Sequence, residues 1–187
     1  MTTLGYALLG ILARGPLSGY DLARNLQMPI GYFWQANHSH IYPELARLEA
    51  KGLVRHEVVP QEHRPNKKLY TITDTGREAL QQWIVTPAEI AAPRDELLLK
   101  VYSLWLIDRK QATVLIREQE QRFAEQHAQF EAIQAALAAK FGAALYDPGS
   151  PAFCAYATSQ CGLLHMRSQI DWCRWLLGQL EQPPRDS

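Results

Sequence analysis

The sequence predicts a mainly α-helical chain with one small β-hairpin, and three observations carry that prediction. Apolar residues recur at helical spacing from Leu4 onward, through Leu8, Ile11 and Leu12. Two short runs rich in β-branched residues, "LVRHEVV" (53–59) and "KLYTIT" (68–73), break that rhythm and read as strands. Beyond residue 94 the heptad spacing returns and holds almost to the C-terminus.

In order along the chain, Gly15-Pro16 ends the first helix. Ser18 is placed to cap the second, with Asp21 three residues on in a capping-box arrangement. Leu17 before that cap and Leu22 after it have the spacing of a hydrophobic staple, and the helix is expected to stop near Gln27, before Pro29. The third helix lies in "HSHIYPELARLEAKGLV" (38–54). Pro43 lacks an N–H and is tolerated only near a helix start, so the helix is expected to begin near Ser39, with Ser39 as its cap. Ile41, Leu45 and Leu48 form a narrow inward stripe, and Gly52 ends the helix. The loop between the strands, "PQEHRPNKK" (60–68), is long and basic. Thr73 or Thr75 caps the helix that follows.

Helix, helix, helix, then a hairpin with a basic loop is the order of a winged helix-turn-helix. In that arrangement the third helix enters the DNA major groove and the wing reaches phosphate or the minor groove. The outward side of the third helix carries Ser39, Pro43, Ala46, Arg47 and Ala50, with Tyr42 and Lys51 on its flanks. Small residues permit close approach, while Arg47 and Lys51 suit phosphates or guanine edges. Ser39, His40, Tyr42, Pro43, Arg47, Lys51, Arg64, Lys67 and Lys68 are therefore the expected DNA-binding residues. The chain as a whole is formally neutral, with 19 basic and 19 acidic residues. Its first 73 residues nonetheless carry eight Lys/Arg against five acids, which fits an anionic partner.

The stretches "YALLGIL", "GPLSGYDLA", "SHIYPELARLEAKGLV" and "KKLYTITDTGREALQQWI" together resemble the PadR-type transcriptional regulators across nearly all of residues 4 to 85. The resemblance implies a homodimeric winged-helix regulator, often a repressor released by a small molecule. It also implies operator contact through Tyr42 and the basic wing residues. An adaptor that binds protein and no DNA is the rival reading of the same fold, but it has no need of a basic wing beside an acid-poor helix face. No phosphate-cradling glycine loop, nucleophile elbow or catalytic carboxylate pair supports an enzyme.

Residues 1–87 are thus expected to form the DNA-binding domain and 94–181 a helical dimerisation domain, with 182–187 as a tail. In the second part "RDELLLKVYSLWLI" (94–107) reads as one apolar helix, and Asp108 caps a long helix to about Lys140. Ile116, Phe123, Phe130 and Leu137 recur every seven residues along it. A last helix, from about Ala152 to Leu180, carries Leu163, Met166, Ile170, Cys173, Leu177 and Leu180 as a seam. Such seams suggest dimerisation, which suits a two-fold operator.

Tyr102, Trp105, Trp172 and Trp175 are the expected effector-binding residues if this half holds a flat ligand, although core packing is the commoner use of such rings. Cys161 and His165, four apart, have metal-ligand spacing. With no third ligand beside them, buried thiols and a packed histidine are expected instead, and no metal or cofactor. No apolar run is long enough to span a bilayer, the N-terminus lacks a signal-peptide pattern, and three cysteines without CxxC spacing fit a reducing compartment. A cytoplasmic location is therefore expected.

Overall fold

The computed structural model describes residues 1–27, 38–60, 66–88 and 95–182. The chain forms two compact units, residues 1–90 and 91–187.

The first unit begins with α1 (Thr3–Leu12), whose cap Thr2 accepts the Gly5 N–H at 3.0 Å. A two-residue strand β1 (Leu17–Ser18) follows, then α2 (Gly19–Gln27). Ser18 caps α2 through the Asp21 N–H and donates its own hydroxyl to the Asp21 carboxylate at 2.6 Å. After a 3-10 turn at His38–His40 comes α3 (Ile41–Ala50). Strands β2 (Val54–Val59) and β3 (Lys67–Ile72) form the antiparallel hairpin, and α4 (Asp74–Ile84) closes the unit under a Thr73 cap. The sheet order is β1-β3-β2, with Leu17 opposite Tyr70. This is a winged helix-turn-helix. The strand β1 escapes sequence reading because two residues carry no period. It exists because β3 offers it a free edge.

Leu8, Leu9, Leu12, Leu22, Ile41, Leu45, Leu48, Val54, Tyr70 and Ile72 make one buried core. Both staple residues join it, Leu22 fully and Leu17 from the margin. Gly52 adopts φ 68°, which only glycine takes without cost. Its N–H bonds the Glu49 carbonyl at 2.8 Å, and the Leu53 N–H bonds that of Leu48 at 2.9 Å. These two bonds are a Schellman motif, and they turn the chain directly into β2. The start of α3 differs from expectation. His40, not Ser39, stands at the cap position, and it makes no side-chain capping bond. The 3-10 turn brings the chain in already wound, so no extended residue is present to offer its oxygen to the first turn. Pro43 sits in that first turn, as its chemistry requires.

In the second unit α5 spans Glu96–Tyr102, and a 3-10 turn covers Leu104–Leu106. The single helix expected to Ile107 is thus broken at Ser103. Ile107 must extend so that Asp108 can take the extended backbone of a cap, and Asp108 forms a full capping box with Gln111. Helix α6 (Arg109–Phe141) and helix α7 (Pro151–Glu181, capped by Ser150) run antiparallel. Arg117 meets Glu181 at 2.8 Å near one end, and Gln134 meets Gln160 at 2.8 Å farther along. Ile116, Cys173 and Leu177 are buried together, with Leu97, Val101, Phe123, Trp172 and Leu180 packed around them. The heptad stripes therefore close on each other within one chain. They are not a seam held open for a second one.

Two measurements probe these elements. A Cβ at Gly76 would fall 2.1 Å from the Leu53 carbonyl oxygen, whereas one at Gly10 in α1 meets nothing within 4 Å. Gly76→Ala should cost about 1–3 kcal/mol in chemical denaturation, and Gly10→Ala should stabilise by about 0.5–1 kcal/mol. Asp21 is held below the usual carboxylate range, first by the Ser18 hydroxyl and then by Lys67, whose Nζ lies 3.0 Å away. A depressed folded-state value stabilises above the unfolded value and loses that contribution as pH falls through the folded one. Ser18→Ala and Lys67→Met should each raise the Asp21 midpoint in carboxyl NMR titrations, Ser18→Ala by more.

Candidate nucleic-acid interface

Ile41, Glu44, Leu45 and Leu48 of α3 are buried, and the opposite side of the helix faces solvent. Tyr42, Pro43, Ala46, Arg47, Ala50 and Lys51 are all exposed, as are Ser39 and His40 in the turn before the helix. Tyr42 is 58 % exposed yet not free to swing. A Cβ at Gly19 would lie 2.6 Å from its ring, so the ring rests on the first residue of α2. Arg47 donates from Nη1 to Glu44 at 3.2 Å while most of its side chain stays in solvent.

A cleft of about 890 Å³ opens beside Tyr42. It runs between α3, the start of α2 and β3, and its lining includes Ser18, Gly19, Tyr20, Ala46, Glu49, Asn66, Lys67, Lys68 and Tyr70. Helix α2 contributes the positive end of its dipole here, and backbone N–H groups at a helix start suit phosphate oxygens. Burial pushes the Tyr70 phenol above its ordinary value, with the Glu49 carboxylate adding to the effect. The ring therefore stays a neutral O–H donor. Glu49 in turn pairs with Nδ1 of His56 on β2, which ties the end of α3 to the hairpin.

The expected site residues divide in three. Ser39, His40, Tyr42, Pro43, Arg47, Lys51 and Lys68 are exposed, and Tyr42 and Lys68 share the cleft. Lys67 also lines the cleft, but its charge is directed to Asp21 on α2. Arg64 lies outside the described residues. Tyr20, Asn66 and Glu44 escaped sequence reading. Tyr20, an aromatic two residues past the Ser18 cap, carried a signal that could have been used.

In the second unit a cleft of about 860 Å³ lies among α5, α6 and α7. Leu97, Leu115 and Phe123 give it apolar walls, while Lys100 and Arg122 bring positive charge and His165 an imidazole. Asp95, Glu96 and Glu118 bring the opposite charge. Lys100 is taken by Glu96 at 2.6 Å, and Asp95 is spent capping α5. Among the described residues neither Arg122 nor His165 makes an ion pair.

None of the four expected effector rings lines this cleft. Trp172 packs beside the Ile116–Cys173–Leu177 cluster. Tyr102 (86 % exposed), Trp105 (81 % exposed) and Trp175 stand on the surface, so they are not core in the single chain. Cys154, Cys161 and His165 are exposed and only Cys173 is buried, against the expectation of buried thiols and a packed histidine. The long intrachain pairing of α6 and α7 uses the stripe through Cys173 and leaves the adjoining face of α7 to solvent. No group of three or more metal-ligating side chains occurs among the described residues. No helix among them is long and apolar enough to cross a membrane.

Comparison with known proteins gives the same architecture. Residues 8–82 match the transcriptional regulator PadR-like family, and residues 93–181 match the family described as virulence activator alpha C-term. The negative transcriptional regulator PadR of Bacillus subtilis is 31 % identical over 186 residues, which is 97 % of this chain and all of that one. A crystal structure of Bacillus subtilis PadR in complex with operator DNA superposes with a TM-score of 0.88 at 30 % identity, covering 96 % of this chain and 100 % of that one. A second, in complex with p-coumaric acid, gives 0.81 at 30 % identity over 97 % and 100 %. Matches to both parts of the chain, and to a relative along its whole length, identify it as a transcriptional regulator that belongs to the PadR-like family.

Proposed function

We propose that this regulator is a cytoplasmic homodimeric repressor that binds a two-fold operator through α3 and the wing, releases it when an aromatic acid binds, and carries out no catalysis. The observation that carries the reading is the outward face of α3: Tyr42, Ala46, Arg47, Ala50 and Lys51 are exposed together, beside a cleft lined by Lys68. Small residues let the helix descend into a groove, and the basic groups meet phosphates and base edges. The Bacillus subtilis relative is described with operator DNA, which supports the same use here.

A second copy is supported by apolar surface. Leu99, Tyr102, Trp105 and Leu106 are exposed side by side in sequence on the second unit. A monomer rarely leaves such a group in water. Covering it with a symmetry mate pairs two recognition helices, and the half-sites then lie one helical turn or a multiple apart. This surface replaces the heptad stripes as the basis for the dimer. It also gives Tyr102 and Trp105 a use other than ligand binding.

The cleft among α5, α6 and α7 suits the effector better than the four expected rings. An aromatic acid has a flat apolar body and one anionic end. Phe123 and Leu115 meet the first, and Arg122 and His165 meet the second. The relative's complex with p-coumaric acid supports this ligand class.

Arg47→Ala should weaken operator binding by roughly 1–3 kcal/mol in gel-shift titrations with the DNA upstream of its own gene. Unchanged affinity would remove α3 as the reading element and favour an adaptor. Lys68→Ala should flatten the salt dependence of binding by about one unit on the log–log plot. Lys67→Ala should flatten it less, because Asp21 already neutralises that charge. Arg122→Ala should weaken p-coumaric acid binding about tenfold or more in calorimetry while leaving operator affinity without ligand as it was.

A further inference from the structure

Glu44 is the only charged residue buried among the described residues, at 4 % exposure, and it sits in the first turn of α3. A carboxylate taken out of water is costly unless every lone pair finds a partner. Here the partners are specific. The Thr2 hydroxyl donates to Oε1 at 2.6 Å, and Arg47 Nη1 donates to Oε2 at 3.2 Å. The carboxylate lies against the first turn of α1, where a Cβ on Gly5 would come within 2.7 Å of Oε1. The positive end of that helix therefore faces it. One side of Glu44 is fixed to the protein body and the other holds a side chain that projects into solvent.

An apolar residue at position 44 would fill the same space without the desolvation cost. What the carboxylate adds is orientation. Arginine has a long side chain with many rotamers, and reading a base with it requires that most of them be removed. Glu44 occupies Nη1 and, among the described residues, leaves the Nε–Nη2 edge without a partner. That edge presents two parallel N–H groups, which match the O6 and N7 acceptors of guanine in the major groove.

We propose that Glu44 is a specificity-determining positioning residue, which holds Arg47 so that its free edge selects guanine at one position of each half-site. This rests on the reading of α3 as the DNA-contacting helix. Glu44 itself touches no base. Thr2, from the N-terminus, completes the support, so the first residues of the chain contribute to operator choice through Glu44.

The test uses the full-length protein. Operators are first recovered by unbiased selection, and affinities are then measured on the preferred sequence and on one with the guanine pair replaced by A·T. Wild type should prefer guanine by roughly tenfold or more. Arg47→Ala should abolish the preference. Glu44→Gln, which keeps size and an acceptor, should lower the preference severalfold while leaving affinity for the A·T operator unchanged. Glu44→Ala added to Arg47→Ala should change neither affinity by more than about twofold.

A uniform loss on both operators in Glu44→Gln, or losses that multiply in the double variant, would overturn the proposal and leave Glu44 as a strut between α1 and α3. A wild-type-like preference in Arg47→Ala would instead overturn the reading of the helix face itself. The two failures are therefore distinguishable.

Discussion

The burial of one narrow stripe on α3 governs the rest of the first unit. Ile41, Leu45 and Leu48 are buried in the core that also holds Leu8, Leu9 and Leu12 of α1 and Leu22 of α2. Each fully buried side chain of this kind contributes about 1.5–3 kcal/mol. Rotating α3 by one residue would turn these groups toward water and carry charged or polar ones inward, so its angular setting is fixed. That setting turns Tyr42, Ala46, Arg47 and Lys51 outward without any further interaction. The Schellman stop at Gly52 then determines where β2 begins, and β2 determines the register of the hairpin.

What the sequence made legible was local. Ser18, Thr73 and Asp108 announce helix starts because their capping bonds reach only three residues along the chain. Gly52 announces a stop for the same reason. The unread features join distant positions. Thr2 and Glu44 are 42 residues apart, and Asp21 and Lys67 are 46 apart. No spacing rule connects such pairs, and β1 is too short to show alternation. Glu44 was visible only as an acid near a helix start, where acids are ordinary. Its burial follows from the packing of α1 against α3, which only the fold supplies.

The second unit shows a different limit of periodicity. A stripe of apolar residues every three or four positions reports that a helix face is buried, but not what buries it. In α6 and α7 the answer is each other, and Tyr102, Trp105 and Trp175, which the stripes omit, are left outside. Tyr102 and Trp105 belong to the turn at Ser103, which exists because Asp108 must cap α6. A local capping requirement thus ends one helix early and creates the exposed apolar surface that suits a second copy.

The charges of the first unit follow a related logic. A surface that only needed to attract DNA would carry unopposed cations, because each phosphate neutralised by Lys or Arg releases counterions. Here three acids stand behind basic groups: Asp21 behind Lys67, Glu44 behind Arg47, and Glu49 behind His56. Each acid lowers the local positive potential and so weakens non-specific attraction. Each also fixes the direction of its partner, and in every case it joins two separate elements or braces the outward face of α3. Lys51 and Lys68, which among the described residues form no ion pair, are the cations to which the proposed reading leaves the long-range attraction. In the proposed reading, attraction and orientation thus fall to different side chains, which is how a formally neutral chain would present a basic, ordered face to DNA.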